Sequence, residues 1–213
     1  MPVIEKLKGY LRETILIRQN KNQCTGGRSL LCNNCTGGVI LHELGLRFDT
    51  PTINTWIPDE DFLRFAENIA FYKKQQVKIL PNQKDYVLAC LGDVHVHFMH
   101  ETDPEKAICD WNRRVSRLDE ENLYCLFVAD QNTADEIVQA VSQLPLPHVC
   151  VLTEKEYPSS FENVHRLPNK RAGIPGGALN YVGRFSLYKR YDVFDFSNWL
   201  REDFGGNSHN IHD

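Results

Sequence analysis

The spacing of apolar and polar positions changes several times along this chain, and each change predicts an element. From residue 3 to about 19, Val3, Ile4, Leu7, Leu11, Ile15 and Ile17 recur with a helical bias. Asn20 to Arg28 is polar and turn-rich, and Ser29 to Cys32 is a short apolar run that reads as a strand. A short helix is expected from Gly38 to Leu44. Phe48 to Ile57 reads as extended, interrupted by Pro51 and closed by Pro58. Asp59 or Asp61 then caps a helix from about residue 60 to 75, with Phe62, Phe65, Ala66, Ile69 and Tyr72 on one face.

Further along, Tyr86 to Leu91 predicts a strand, Gly92-Asp93 a turn, and Val94 to Met99 a second strand with strict alternation. Asp103 followed by Pro104 is an N-cap with proline at the first helical position, opening a helix through about Leu118. Leu123 to Ala129 is almost continuously apolar, as in a strand buried on both faces. Asp130-Gln131-Asn132-Thr133 is the turn into a helix from about 133 to 143, and His148 to Leu152 a further strand. Asn169 to Gly183, rich in glycine and basic residues, reads as a surface loop, and Phe194 to Leu200 as a terminal helix that docks. Alternation of strands and helices points to an α/β fold with a mixed or largely parallel sheet flanked by helices in Rossmann-like layers. The expected organisation is one α/β domain over residues 1–204, with two α/β halves meeting near residue 92 as a variant, and a frayed tail from 205 to 213.

Composition narrows the function classes. The chain has 213 residues, 42% apolar and 24% charged, with a net charge of −4, which argues against a general nucleic-acid binder. It holds no apolar run long enough to span a membrane, and its N-terminus lacks the apolar core of a signal peptide, so a cytoplasmic location is expected. Cys90, Cys109, Cys125 and Cys150 sit in apolar or helical contexts and read as buried free thiols. Cys24, Cys32 and Cys35 share a polar, glycine-rich neighbourhood instead.

The stretch richest in chemistry runs from Ser29 to Gly45, where a strand, a tight turn and a helix start follow one another. Such a turn gathers unpaired N–H groups and the positive end of a helix dipole, so Cys35 there is expected to have its thiolate favoured. Cys32 and Cys35 also have the spacing of half a zinc site or a redox dithiol, or of a plain turn with incidental thiols. A zinc site would need two more ligands, for which His95, His97 and His100 are the donors at hand. Asp93 through His100 packs three histidines and an acid into eight residues; an imidazole supplies a base near neutral pH and a carboxylate can orient it. The structural alternative is hydrogen bonding within the fold. Asn33-Asn34 and Asp130-Gln131-Asn132 each follow an expected strand, so a parallel sheet would bring both turns to the edge where ligands bind. Their amides suit sugar hydroxyls, although the same residues also stabilise turns by themselves. Arg114, in Trp111-Asn112-Arg113-Arg114, could reach a phosphate or lie on a solvated face. The basic pair Lys170-Arg171 carries the same two readings.

Asn33-Asn34-Cys35-Thr36-Gly37-Gly38, Leu44-Gly45-Leu46 and Thr50-Pro51-Thr52 resemble a family of bacterial exopolysaccharide and capsule biosynthesis proteins filed as a domain of unknown function. Asp61 to Phe65, Asn68, Tyr72, Gly92-Asp93, His97 to His100, Trp111 to Arg114, Asn122-Leu123, Asp130 to Asn132, Phe194-Asp195 and Trp199-Leu200 continue the likeness in order. Position 32, more often serine in that family, is cysteine here, and position 36, usually a bulky aromatic, is threonine. The resemblance implies an α/β enzyme scaffold of surface-polysaccharide synthesis, with Cys35, Asn33, Asn34, Asp93, His97 and His100 on its motifs. The expected function is a transferase acting on a sugar, nucleotide-sugar or polysaccharide precursor, by acyl, glycosyl or sugar-phosphate transfer. In its sharpest form Cys35 is an acyl-accepting nucleophile, His100 or His97 its base, and Asp93 the group that orients the imidazole. The N–H groups of Thr36, Gly37 and Gly38 hold the oxyanion, and Asn33, Asn34, Gly37, Gly38, Asp130, Asn132 and Arg114 bind substrate. No cofactor and no metal is expected, and peripheral association with a polysaccharide assembly complex is. The competing class is a non-catalytic glycan-binding or assembly protein, contacting glycan through these asparagines and Trp56 or Trp111.

Overall fold

A computed structural model describes residues 2–20, 29–169, 177–183 and 186–200. Cys24, the pair Lys170-Arg171 and the tail from 205 to 213 lie outside the described residues. The chain runs through α1 (Pro2–Asn20), β1 (Ser29–Cys32), α2 (Thr36–Glu43), α3 (Asp59–Glu67), α4 (Ile69–Tyr72), β2 (Lys78–Leu80), β3 (Val87–Leu91) and β4 (Val94–Phe98). It continues through α5 (Pro104–Val115), β5 (Leu123–Val128), α6 (Asp135–Ser142), β6 (His148–Thr153) and β7 (Val164–Arg166), a 3-10 turn at Arg190–Val193, and α7 (Phe196–Trp199).

β1, β5, β6 and β7 lie side by side in that order as a parallel sheet. Cys32 stands opposite Leu126, Val128 opposite Leu152, and Thr153 opposite Arg166, so the carboxyl ends of all four strands share one edge. β2, β3 and β4 form a separate antiparallel sheet inserted between β1 and β5. The architecture is α/β, with a parallel sheet, an antiparallel sheet and helices.

Alternation along the parallel strands divides the core in two. Leu31, Leu123, Cys125, Phe127 and Val151 join Phe62, Phe65, Trp111 and the inner residues of the antiparallel sheet. Leu30, Cys32, Tyr124, Leu126, Cys150 and Leu152 meet α2 and α7 on the other face. The first five residues of β5 are fully buried, as an inner strand covered on both faces requires. Phe62 stacks on Phe127 with ring centroids 5.7 Å apart, joining α3 to the sheet.

Several expectations are corrected. The helix expected over 60–75 breaks at Asn68 (φ −130°, ψ 41°) into α3 and α4. Phe48 to Ile57 forms turns rather than a strand, save for a single bridge between Trp56 and His97. β2 and β7, three residues each, were not foreseen, because runs that short carry no readable period. Of the four thiols read as buried, Cys125 and Cys150 are, Cys90 is half-buried, and Cys109 on α5 is exposed. Among the described residues no helix is long and apolar enough to cross a membrane.

Candidate functional site

The carboxyl edge of the parallel sheet opens into a cleft of about 670 Å³. Residues following each strand line it: Asn33 to Thr36 after β1, Ala129 to Thr133 after β5, Glu154 after β6 and Leu167 after β7. Trp56, Asp59, Met99 and His100 close it from the inserted region, and Gly177 to Asn180 from the C-terminal part. The two asparagine-bearing turns therefore meet at one edge, because β1 and β5 are parallel neighbours.

Cys35 is the residue preceding α2 and makes no capping bond with its own side chain, which leaves its sulfur for the cleft. Its Sγ lies 3.6 Å from His100 Nε2 and 3.8 Å from the Thr55 carbonyl. His100 follows β4 and is exposed, so the pair joins the mouth of the parallel sheet to the end of the antiparallel one. Burial pushes the Cys35 thiol above its ordinary value, opposed by its own backbone N–H. The expected thiolate is thus disfavoured: desolvation outweighs the backbone N–H contact.

Two of the three N–H groups assigned to an oxyanion, those of Thr36 and Gly37, are already engaged. Thr36 N donates to Asn34 Oδ1 at 2.9 Å, and the Gly37 N–H faces the sulfur of Cys32. Burial pushes the Cys32 thiol up to about 12, which disfavours the thiolate that a dithiol partner or metal ligand would need. Among the described residues no three His, Cys, Asp or Glu side chains are grouped to hold a metal ion. Gly37 and Gly38 are buried against Cys32 and Ile53 and do not line the cleft, which corrects their assignment to substrate.

Asn33 is 2% exposed, and its amide is spent on the fold: Nδ2 donates to the Val128 carbonyl at 3.1 Å and Oδ1 accepts from Val128 N at 3.0 Å. Asp130 folds its own turn, with Oδ1 accepting from Asn132 N at 2.6 Å and Thr133 N at 3.1 Å. The side chain of Asn132 is exposed at the cleft.

Three expected site residues lie elsewhere. Asp93 sits in the β3–β4 turn beside Gly92 (φ +63°), accepts from Tyr72 Oη at 2.8 Å and meets Arg64 Nε at 3.4 Å. Four residues of extended chain, about 13 Å, separate it from His97, so it orients neither His97 nor His100. His97 packs on Trp56, with ring centroids 4.5 Å apart, and pairs through Nδ1 with Tyr86 Oη at 3.2 Å; burial lowers its pKa. Arg114 donates to the Ile53 carbonyl at 3.0 Å and meets Asp110, bracing the chain beneath α2 instead of reaching a phosphate. Trp111 is 1% exposed and so contacts no glycan, whereas Trp56 is 40% exposed at the cleft.

Asp59 is the lining residue most easily missed. It sits in the first turn of α3, half-buried, with Oδ2 accepting from Thr133 Oγ1 at 2.7 Å. Burial raises its pKa, with the Asp130 charge adding to the rise and Thr133 and Asn33 opposing it. Reading Asp59 as a helix-start residue obscured that this helix start points into the cleft. Glu154 was findable, since it follows a strand as Asp130 does; its partner is Arg190, 2.8 Å away.

A family model described as a domain of unknown function, DUF1919, matches residues 7–201. A Haemophilus influenzae protein bearing the name "Uncharacterized protein" is 29% identical over 197 residues, covering 92% of this chain and 94% of that one.

Proposed function

This chain belongs to the DUF1919 family, and from that premise we propose that its cleft is an acyl-transfer site of bacterial surface-polysaccharide synthesis, with Cys35 as nucleophile and His100 as base. The observation that carries the reading is the 3.6 Å approach of Cys35 Sγ to His100 Nε2 in an open cleft. A thiol held neutral by burial needs a base at the moment of attack, and an imidazole at this distance supplies one. Sγ attacks the acyl carbon while His100 takes the thiol proton. The imidazolium then protonates the departing group, leaving a thioester on Cys35. A sugar hydroxyl attacks that thioester, His100 takes the hydroxyl proton, and the sulfur leaves and is reprotonated. With Thr36 N–H and Gly37 N–H engaged elsewhere, the exposed Gln131 and Asn132 side chains carry amides at this edge that can donate to the oxyanion.

The sugar part of the reading rests on the walls. Gln131 and Asn132 offer amides, Trp56 an exposed ring face, and Asp59, Asp130 and Glu154 carboxylates that accept from hydroxyls. The polysaccharide context rests on the resemblance carried by Asn33 to Gly38 and the motifs that follow it.

One observation favours a second reading, glycan binding without turnover: the upward shift of the Cys35 thiol, which an unused half-buried cysteine would also show. Incubation with acyl thioesters, followed by intact-mass measurement, separates the two. A mass gain on Cys35, lost in Cys35→Ala and slowed at least about 100-fold in His100→Ala, supports acyl transfer. An unmodified Cys35 together with saturable oligosaccharide binding would replace it with the binding reading.

A further inference from the structure

The two asparagines before Cys35 are spent differently. Asn33 gives both ends of its amide to the backbone of Val128, and its carbonyl accepts from Ile57 N at 2.8 Å. These bonds pin the turn to β5 and to the segment that precedes α3. Asn34, half-buried in the cleft wall, is held by one end of its amide only. Its Oδ1 accepts from Thr36 N at 2.9 Å and from Cys32 Sγ at 3.7 Å. A backbone N–H can only donate, so the oxygen of this amide must face Thr36 and the nitrogen must face away. Asn34 Nδ2 has no hydrogen-bond partner among the described residues, and it keeps contact with solvent. The turn thus carries an oriented, unspent donor one residue from the Cys35 sulfur.

We propose, on the acyl-transfer reading of the cleft, that Asn34 Nδ2 donates the hydrogen bond that stabilises the oxyanion as Cys35 attacks. In that step the bond from sulfur to the acyl carbon forms, the carbonyl π pair moves onto oxygen, and His100 holds the thiol proton. The pair then returns, the bond to the leaving group breaks, and the imidazolium protonates that group, leaving the thioester. A donor aimed before the reaction costs no reorganisation as the charge appears. The amides of Gln131 and Asn132 stand at the same edge, but they are exposed and no hydrogen bond among the described residues fixes them. Ordering either one costs side-chain entropy that Asn34 has already lost on folding. Preorganisation therefore selects Asn34.

The test compares two reactions of Cys35 in the full chain, both read by peptide mass spectrometry. Acylation by S-acetyl-N-acetylcysteamine passes through an oxyanion, whereas alkylation by iodoacetamide does not. Asn34→Ser keeps an oxygen that accepts from Thr36 N and removes Nδ2. The expected result is acylation slowed about 100-fold, with alkylation changed by less than about twofold. Acylation at the parent rate overturns the proposal. An equal loss in both reactions overturns it too, and marks Asn34 as a residue that only shapes the turn. Should serine lower the melting point, Asn34→Asp, whose carboxylate accepts from the same N–H, is read by the same ratio of rates. A parent that is never acylated fails the acyl-transfer reading and this inference with it. A parent acylated on Cys35, beside an equally fast Asn34→Ser, fails this inference alone.

Discussion

Cys35 and Asp59 are both helix-start residues in the cleft, and for both, burial has the larger say over their charge. The folded pKa of Asp59 lies above its unfolded value, so folding favours the protonated acid. That contribution is fully present below the unfolded pKa of about 3.9 and is lost as pH rises through the folded value. At neutral pH the carboxylate therefore costs stability, while asparagine would still accept from Thr133 Oγ1. Asp59→Asn is expected to melt higher than the parent at pH 7, the gap closing as pH falls toward the carboxylate range. Thermal melts across pH measure this, and an equal gap at every pH would contradict it. At this scale the residue types were legible and their roles less so. The amides of Asn33 and Asn34, like the carboxylate of Asp130, read equally as substrate contacts or as turn chemistry, and much of their capacity turned inward to the backbone.

At the scale of elements, the join of β1 to α2 is tightly packed. A Cβ added at Gly37 would stand 2.6 Å from Cys32 Cβ, so any side chain there must push the helix off the strand. Gly37→Ala is expected to destabilise by about 1–3 kcal/mol and to disturb the Cys35–His100 approach. Gly9, inside α1, has nothing within 4 Å of an added Cβ. There Gly9→Ala should stabilise by about 0.5–1 kcal/mol through helix propensity alone. Urea unfolding of the two variants separates close packing from backbone entropy by the opposite signs of their effects. Element positions were largely readable: Asp103 caps α5 through the N–H groups of Glu105 and Lys106, with Pro104 at the first helical position. The break at Asn68 was not, because the apolar face of α3 and α4 continues through it and periodicity has no term for a turn that loosens.

At the scale of the whole molecule, the edge that bears the cleft is held by two hydrogen bonds spanning 95 positions, from the Asn33 side chain to the backbone of Val128. They extend the β1–β5 ladder one step past the last strand pair, where the two turns of the cleft diverge. Asn33→Ala removes both hydrogen bonds and leaves the Val128 N–H and carbonyl unpaired. The expected cost is about 2 kcal/mol, with faster amide exchange at Val128; an unchanged exchange rate would show that the edge is held by packing instead.

By itself the sequence determined the order of most elements, the α/β class and the place of the turn that carries Cys35. Those follow from local period, capping residues and glycines, all written within a few residues of where they act. The tertiary structure alone decided that β2 to β4 form their own antiparallel sheet, and that His100 meets Cys35 while Asp93 turns away to Tyr72 and Arg64. Each of these depends on contacts between residues far apart in the chain and on how much water burial removes, and neither quantity is a property of a local window of sequence.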